Sequence, residues 1–143
     1  MSERLVRLWT EPLGTAAEAH RAFAGAYADP VSVNGIDVSL ADLVERARGI
    51  QRAFAGLQLE LVDEVETPER IVIVFLQRGR HVGPLETPLG VVAPTGREIE
   101  VRVIDVLSVK DDRITAIQVV PDNLGLAMQL GAVQLVSDTI RSR

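Results

Sequence analysis

The hydrophobic period of this sequence changes near residue 57, from the spacing of α-helices to that of β-strands. Before that point, apolar residues recur every three to four positions, which is typical of amphipathic helices. After it, Leu57, Leu59 and Leu61 alternate with polar residues, as in a half-buried strand. Helices first and strands afterwards predict an α+β fold in which helices cover one face of a mainly antiparallel sheet.

Three helices are predicted, two of them from capping signals. A Thr-x-x-Glu capping box at residues 15–18 begins a helix that extends to Tyr27. Ser39 begins a second helix, whose apolar residues recur at helical spacing as far as Phe54. The last helix is predicted from Leu124 to Val136, and it closes the domain after the strands.

The strands between these helices are separated by clear breaks. Residues 71–76 are continuously apolar and rich in β-branched side chains, which predicts a central strand covered on both faces. Residues 79–96 contain many Gly and Pro residues, which predict a loop or an irregular hairpin. Residues 99–110 and 113–120 flank an Asp-Asp pair, so these two strands are predicted to form a tight hairpin.

Composition limits the domain count and the classes of partner. A chain of 143 residues, 47% of them apolar, has the size of one domain, and no linker or repeat divides it, so 1–143 is predicted to be a single domain. A net charge of −5 with scattered basic residues argues against binding to nucleic acid or to an anionic membrane surface.

Cysteine and histidine usage gives further expectations. The chain contains no cysteine, so it has no disulfide, thiolate nucleophile or thiolate metal site. Residues 1–12 lack the long apolar core of a signal peptide or membrane span, and a cytoplasmic location is expected. His20 and His81 are far apart and lack convergent carboxylates, so no metal site is predicted.

The predicted hairpin brings three polar residues to one face. A two-residue turn sets a register in which Asp105 faces Gln118 and Val101 faces Asp122. Asp105, Gln118 and Asp122 then share a face of a hairpin that is largely apolar on both sides. A pocket lined by this face would explain three polar side chains there.

Two carboxylates on this face are candidates for acid–base chemistry. An apolar pocket raises the pKa of a carboxyl group by desolvation and so brings it nearer to neutral pH. Asp122 is the stronger candidate because it ends a strand, where a pocket usually opens. The alternative is that Asp122 and Asn123 only cap the last helix, and that Asp105 is a hydrogen-bonded strand residue.

Four further side chains are candidate pocket residues. His81 has the same strand parity as Phe75 and Gln77, so all three are expected on the pocket side. A lone histidine is more often a surface residue or one with its hydrogen bonds satisfied. Tyr27, the only tyrosine, is placed on the first predicted helix, where core packing is favoured over a role as oxyanion donor.

An ordered set of short motifs resembles the SnoaL-like polyketide cyclase family, which belongs to the nuclear-transport-factor-2-like superfamily. The resemblance covers about Ala19 to Val133. The segments that carry it are Arg78-Gly-Arg-His-Val-Gly83, Pro94-Thr-Gly-Arg97, Arg102-Val-Ile-Asp105, Asp112-Arg-Ile114, Pro121-Asp-Asn-Leu-Gly-Leu126 and Gln129-Leu-Gly131.

The resemblance implies a fold, a reaction and a set of roles. The fold is a cone-shaped α+β barrel, usually homodimeric, in which helices and a strongly curved sheet enclose a deep pocket for a hydrophobic polyketide-like substrate. The reaction is a ring closure of the aldol type without cofactor or metal, in secondary metabolism. Asp122 is implied as the acid and base, with His81 orienting an enolate oxygen. Asp105, Gln118, Phe75, Gln77 and Tyr27 are expected to bind substrate.

Two other classes of function stay open on the same fold. A shape-templated cycloaddition is a further form of the cyclase reaction. An epoxide hydrolase or a ketosteroid-isomerase-like enzyme would need an Arg or a Tyr-type oxyanion donor beside its carboxylate, and Arg102 is predicted on the face opposite Asp105. A non-catalytic ligand-binding module would tolerate replacement of Asp122 by Asn.

Overall fold

The computed structural model describes residues 1–136, which contain four helices and eight strands. The helices are α1 (Ser2–Thr10), α2 (Ala16–Ala24), α3 (Leu40–Ala53) and α4 (Asn123–Gln129). The strands are β1 (Tyr27–Val33), β2 (Ile36–Val38), β3 (Phe54–Glu66), β4 (Arg70–His81), β5 (Leu85–Thr87), β6 (Gly90–Val92), β7 (Glu98–Lys110) and β8 (Arg113–Pro121).

Six of these strands form one sheet in the order β2-β1-β8-β7-β4-β3, and β5 with β6 forms a separate hairpin. Every neighbouring pair in the large sheet is antiparallel except β1 and β8, which are parallel. The predicted α+β class is therefore confirmed. So is the central position of the strand containing residues 71–76, because β4 pairs with β3 on one side and with β7 on the other.

Both predicted N-terminal caps are present. The Thr15 hydroxyl accepts a hydrogen bond from the Glu18 N–H at 3.2 Å, and the Ser39 hydroxyl accepts one from the Asp42 N–H at 3.1 Å. The end of α2 differs from the prediction, since the helix stops at Ala24 and Tyr27 begins β1. The chain joins the sheet at this point, because the Ala26 carbonyl accepts a hydrogen bond from the Ile114 N–H of β8.

The first and last helices also differ from the prediction. Helix α1 was not predicted, although Met1, Leu5, Leu8 and Trp9 recur at helical spacing. Helix α4 ends at Gln129, well before the predicted end at residue 136. Gly131 has φ +69°, and the chain closes there with two backbone hydrogen bonds of the Schellman type, which end the helix.

The β7–β8 hairpin has the predicted turn and a different register beyond it. Lys110 pairs with Arg113 across Asp111 and Asp112, both with positive φ, as a tight two-residue turn requires. A β-bulge between Ser108 and Val109 then shifts the pairing by one residue. Because neighbouring strand residues point to opposite faces, this shift moves one strand's side chains to the other face relative to the prediction.

The buried side chains form two clusters on the sheet face that the helices cover. The first includes Phe23, Leu43, Ile73, Leu107 and Ile117, and α1, α2 and α3 all contribute to it. The second lies toward the other end of β3, β4 and β7, and the β5–β6 hairpin and α4 pack against it. Within residues 1–136, no helix is both long and apolar enough to cross a membrane.

Candidate active site

A cavity of about 280 Å³ lies between the helices and the inner face of the sheet. Helices α1 and α3 form one wall, and alternate residues of the central strands form the other. The residues from the central strands are Ile73, Phe75 and Gln77 of β4, Val103, Asp105 and Leu107 of β7, and Ile117, Val119 and Pro121 of β8, to which β1 adds Tyr27 and Val33 and β3 adds Leu57 and Leu59. The lining is mostly apolar with a few polar groups, which is typical of a site for a small organic molecule.

The polar side chains that line the cavity are few: Trp9, Tyr27, Arg46, Gln77 and Asp105. Three of them, Tyr27, Gln77 and Asp105, were predicted as pocket residues, and Phe75, another predicted pocket residue, also lies in the lining. The contributions of α1 and of Arg46 were not predicted. The helical spacing of Leu5, Leu8 and Trp9 is the sequence signal that points to the contribution of α1.

Asp105 is the one carboxylate in the described lining of the cavity. It lies in the middle of β7, between Ile73 of β4 and Val119 of β8, so its cross-strand neighbours are apolar. Its Oδ1 atom is buried and has no hydrogen-bond partner within residues 1–136. Burial raises the pKa of Asp105 from 3.8 to about 6, because removal of water penalises the charged form.

Tyr27 lies at the start of β1 and is 4% exposed. The Trp9 indole N–H donates a hydrogen bond to the Tyr27 hydroxyl oxygen at 2.8 Å, and Phe23 stacks on the Tyr27 ring. Burial, with a smaller contribution from the negative charge of Asp105, raises the pKa of Tyr27, so the hydroxyl keeps its proton. In the described part of the chain no acceptor takes this proton, which leaves it available to a molecule in the cavity.

Asp122 lies outside the cavity lining. Its side chain is exposed and accepts a hydrogen bond from the Gly125 N–H at 2.9 Å, as the N-cap of α4. The predicted arrangement, in which Asp122 shares a pocket face with Asp105, is wrong in this structure. The cause is the β-bulge, which shifts the register so that Asp105 faces Val119.

Gln118 and His81 are also not in the cavity lining. Gln118 is exposed on the outer face of the sheet, again because of the shifted register, so its predicted place in the pocket is wrong. His81 is completely buried beyond one end of the cavity, where its Nδ1 atom accepts a hydrogen bond from the Thr95 N–H at 3.2 Å and its ring lies against Phe54. His81 has the predicted strand parity, but the cavity ends before it, and parity alone does not show where a cavity ends.

An α+β domain whose helices and sheet enclose an apolar cavity with one buried carboxyl group is the architecture of a small-molecule-binding protein or enzyme. The family model of the SnoaL-like polyketide cyclases matches residues 2–130. The chain therefore belongs to the SnoaL-like polyketide cyclase family, and the predicted resemblance is confirmed. A search of curated proteins gave no match.

Solved structures share the fold over almost the whole chain. TsrD from Streptomyces laurentii has 23% identity, a TM-score of 0.77, and coverage of 92% of both chains. A SnoaL-like polyketide cyclase from Agrobacterium tumefaciens has 15% identity and a TM-score of 0.71, with 91% of this chain and 94% of that one covered. A Catenulispora acidiphila protein with a ketosteroid isomerase-like fold, in complex with trimethylamine, has 11% identity, a TM-score of 0.67, and coverage of 91% of both chains.

Proposed function

We propose that this protein closes a ring in a hydrophobic polyketide-like molecule, with Asp105 as the acid and base and Tyr27 as a hydrogen-bond donor, without a cofactor. Membership in the SnoaL-like polyketide cyclase family supports a general cyclase role. The single observation that carries the proposed chemistry is Asp105, a buried carboxyl group with an unpartnered oxygen and a pKa of about 6 in an apolar cavity. A group with that pKa exchanges protons readily near neutral pH.

The proposed ring closure begins with enolate formation. The Asp105 carboxylate removes a proton from the carbon next to a substrate carbonyl group, and the Tyr27 hydroxyl donates a hydrogen bond to the enolate oxygen that forms. The charge of the enolate develops in a cavity from which water is largely excluded, where a fixed donor stabilises it more than in water. The hydrogen bond that Trp9 donates to Tyr27 positions this hydroxyl.

Carbon–carbon bond formation completes the cycle. The enolate carbon attacks a second carbonyl carbon of the same molecule, and the π electrons of that carbonyl move to its oxygen. The protonated Asp105 then returns its proton to this oxygen, which gives a cyclic β-hydroxy ketone and restores the carboxylate. A cavity that folds one substrate so that both carbonyl groups meet supplies much of the rate by proximity.

The same pair of side chains favours a second candidate function, isomerisation of a β,γ-unsaturated ketone. That reaction also begins with proton abstraction beside a carbonyl group and with hydrogen bonding to an enolate. Tyr27 and Asp105 line one cavity, which is the arrangement that the ketosteroid-isomerase alternative required. An epoxide hydrolase with Arg102 is less supported, because Arg102 is exposed on the outer face of the sheet.

A metabolite comparison tests the proposed function. The native host would be compared with the gene intact, deleted, and restored as wild type, as Asp105→Asn or as Asp37→Asn, which removes an exposed carboxylate of β2. We expect an uncyclised polyketide to accumulate in the deletion and with Asp105→Asn only. Rescue by Asp105→Asn would indicate a shape-templated cyclase or a binding protein, and no accumulation on deletion would contradict the cyclase function.

The isomerase alternative has its own assay. Purified protein would be mixed with a cyclic β,γ-unsaturated ketone, and the absorbance of the conjugated enone would be followed. Conversion that depends on both Asp105 and Tyr27, in a host whose polyketides are unchanged by deletion, would favour isomerisation over ring closure.

The outer face of the sheet supports a homodimer. Val74, Leu76, Ile104, Val106 and Val120 lie on this face, and Ile104 and Val120 are 41% and 66% exposed. The apolar area ends at a polar rim, where Arg78 pairs with Glu60 and Glu100. We propose that a second copy of the chain covers this area, since exposed apolar patches with polar rims are typical of interfaces.

Sedimentation equilibrium at micromolar concentration tests the dimer. We expect twice the chain mass for the wild type and the mass of one chain for a variant with both Ile104→Lys and Val120→Lys. A wild-type mass of one chain would contradict the proposal.

We further propose a bacterial cytoplasm and secondary metabolism as the setting, which the lack of cysteine and the similarity to a Streptomyces protein support.

A further inference from the structure

The cavity has a polar group at each of two separated positions along the sheet. Asp105 pairs with Ile73 of β4, and Gln77 lies four residues further along the same strand. At about 3.3 Å per residue, their levels on the sheet are roughly 13 Å apart. Phe75 and Val103 lie between these levels, so an apolar stretch separates the two polar groups.

Helix α3 adds a cation to the cavity wall. Leu43, Arg46 and Ile50 line the cavity, and their spacing of three and four residues places them on one face of the helix. Ile50 packs with the second buried cluster, which includes Val101, the residue that pairs with Gln77. Arg46 is exposed where α3 lines the cavity and lies one turn from both Leu43 of the first cluster and Ile50, so its flexible side chain can extend to the Gln77 end from the middle of the helix.

Neither Arg46 nor Gln77 is committed to another side chain. Arg48 and Arg52 of the same helix both pair with Glu45, whereas Arg46 makes no ion pair or side-chain hydrogen bond within residues 1–136. The Gln77 amide likewise has no hydrogen-bond partner there. An unpaired guanidinium group and a free amide that line one cavity match a carboxylate, since arginine donates two parallel hydrogen bonds to both carboxylate oxygens.

We propose that the substrate carries a free carboxylate at the end remote from its reacting carbon, and that Arg46 and Gln77 bind this carboxylate. The inference rests on the proposed function, which makes Asp105 the reacting end. The charges agree with this orientation, because ionised Asp105 repels an anionic group and Arg46 attracts it. Hydrolysis of any ester or thioester that masks this carboxylate then precedes ring closure.

Trp9 gives a direct binding assay, because it is the only tryptophan of the chain and lines the cavity. The probes are decanoate and methyl decanoate, which have the same chain and differ in charge. At pH 8 we expect the wild type to bind decanoate about fivefold or more tightly than the ester, since one charge-assisted contact contributes on this order. Isothermal titration calorimetry with the same probes checks the fluorescence result.

Matched variants assign the preference to the proposed residues. Arg46→Gln should bind the two probes equally, and Gln77→Leu should lower the preference. Arg52→Gln, on the same helix, should keep it. Equal binding of both probes by the wild type, no binding of decanoate at millimolar concentration, or a preference that survives in Arg46→Gln would each overturn the inference.

The proposed function can fail separately from this inference. Asp105→Asn should retain the preference for decanoate, because it leaves Arg46 and Gln77 unchanged. If Asp105→Asn restores the metabolites of the deleted host while Arg46→Gln loses the preference, the proposed chemistry is wrong and the carboxylate site stands.

Discussion

Replacement of Asp105 by Asn should stabilise the folded protein at neutral pH while it removes the proposed activity. Burial raises the pKa of Asp105 from 3.8 to about 6, a difference of about two units. At 1.36 kcal/mol per unit, the ionised carboxylate costs the folded state about 3 kcal/mol. The buried Oδ1 atom has no partner within the described residues, so the substitution breaks no hydrogen bond of that atom.

The pH dependence distinguishes this cost from a change in packing. Between pH 3.8 and about 6 the folded state binds more protons than the unfolded state, so the free energy of unfolding falls as pH rises through this window. Above it the full penalty applies, and Asp105→Asn should gain up to about 3 kcal/mol. Below it the wild-type carboxyl group is neutral in both states, and the gain should nearly vanish.

Urea denaturation followed by circular dichroism at pH 7.5 and pH 3.5 measures both values for the wild type, Asp105→Asn and Asp37→Asn. The exposed Asp37 provides the control, whose substitution should have little effect at either pH. A lower stability of Asp105→Asn at pH 7.5, or an equal difference at the two pH values, would refute the assignment of a desolvated carboxylate.

Three further predictions concern the rate and the fold. Since Asp105 acts first as a base, kcat/KM for ring closure should fall as pH drops below about 6 and level off above it, and a profile flat from pH 4.5 to 8 would contradict this. Tyr27→Phe should lower kcat about 10- to 100-fold and lower stability by about 1 kcal/mol, because the Trp9 N–H loses its acceptor, whereas an unchanged kcat would exclude the donor role. Gly131→Ala should cost about 1 kcal/mol in urea denaturation, because φ is +69° there and a Cβ atom would approach Arg97 within 2.9 Å. No loss in that variant would refute the proposed end of α4.

The parts of the fold that were predicted from the sequence depend on local signals. The caps at Thr15 and Ser39 each join residues three positions apart. The turn is determined by the positive φ of Asp111 and Asp112 themselves. The central position of β4 agrees with its continuous apolar run, although the helices cover only its inner face within residues 1–136. Each of these features can be recognised from neighbouring residues alone, without knowing which distant segments of the sequence pack against them.

The register of the last hairpin could not be predicted in the same way. The bulge leaves Thr115 of β8 unpaired opposite Ser108 and Val109 and shifts the pairing by one residue, and a threonine in a strand does not signal it. This one shift takes Gln118 from the pocket face to the outer face and pairs Asp105 with Val119. It therefore decides which polar side chains of the hairpin meet in the cavity.

The cavity itself depends on packing between distant elements. Arg46 and Trp9 come from α3 and α1, and nothing local in either segment shows that they face the same space as Asp105. The length of the cavity is also a tertiary property, since it ends before His81 although His81 shares the parity of Gln77. Sequence patterns predicted the inward face of β4 and β7 correctly, but they could not predict where the covering helices leave that face open.

The rates of ring closure by Asp105→Asn and Asp122→Asn decide which aspartate is the acid and base. Both would be measured side by side on the natural polyketide, isolated from the deletion strain. Asn caps a helix about as well as Asp, so Asp122→Asn should preserve both α4 and the rate. We expect a loss of at least about 100-fold for Asp105→Asn and of less than about twofold for Asp122→Asn. The reverse pattern would place the acid and base at the start of α4 and overturn the proposed role of Asp105.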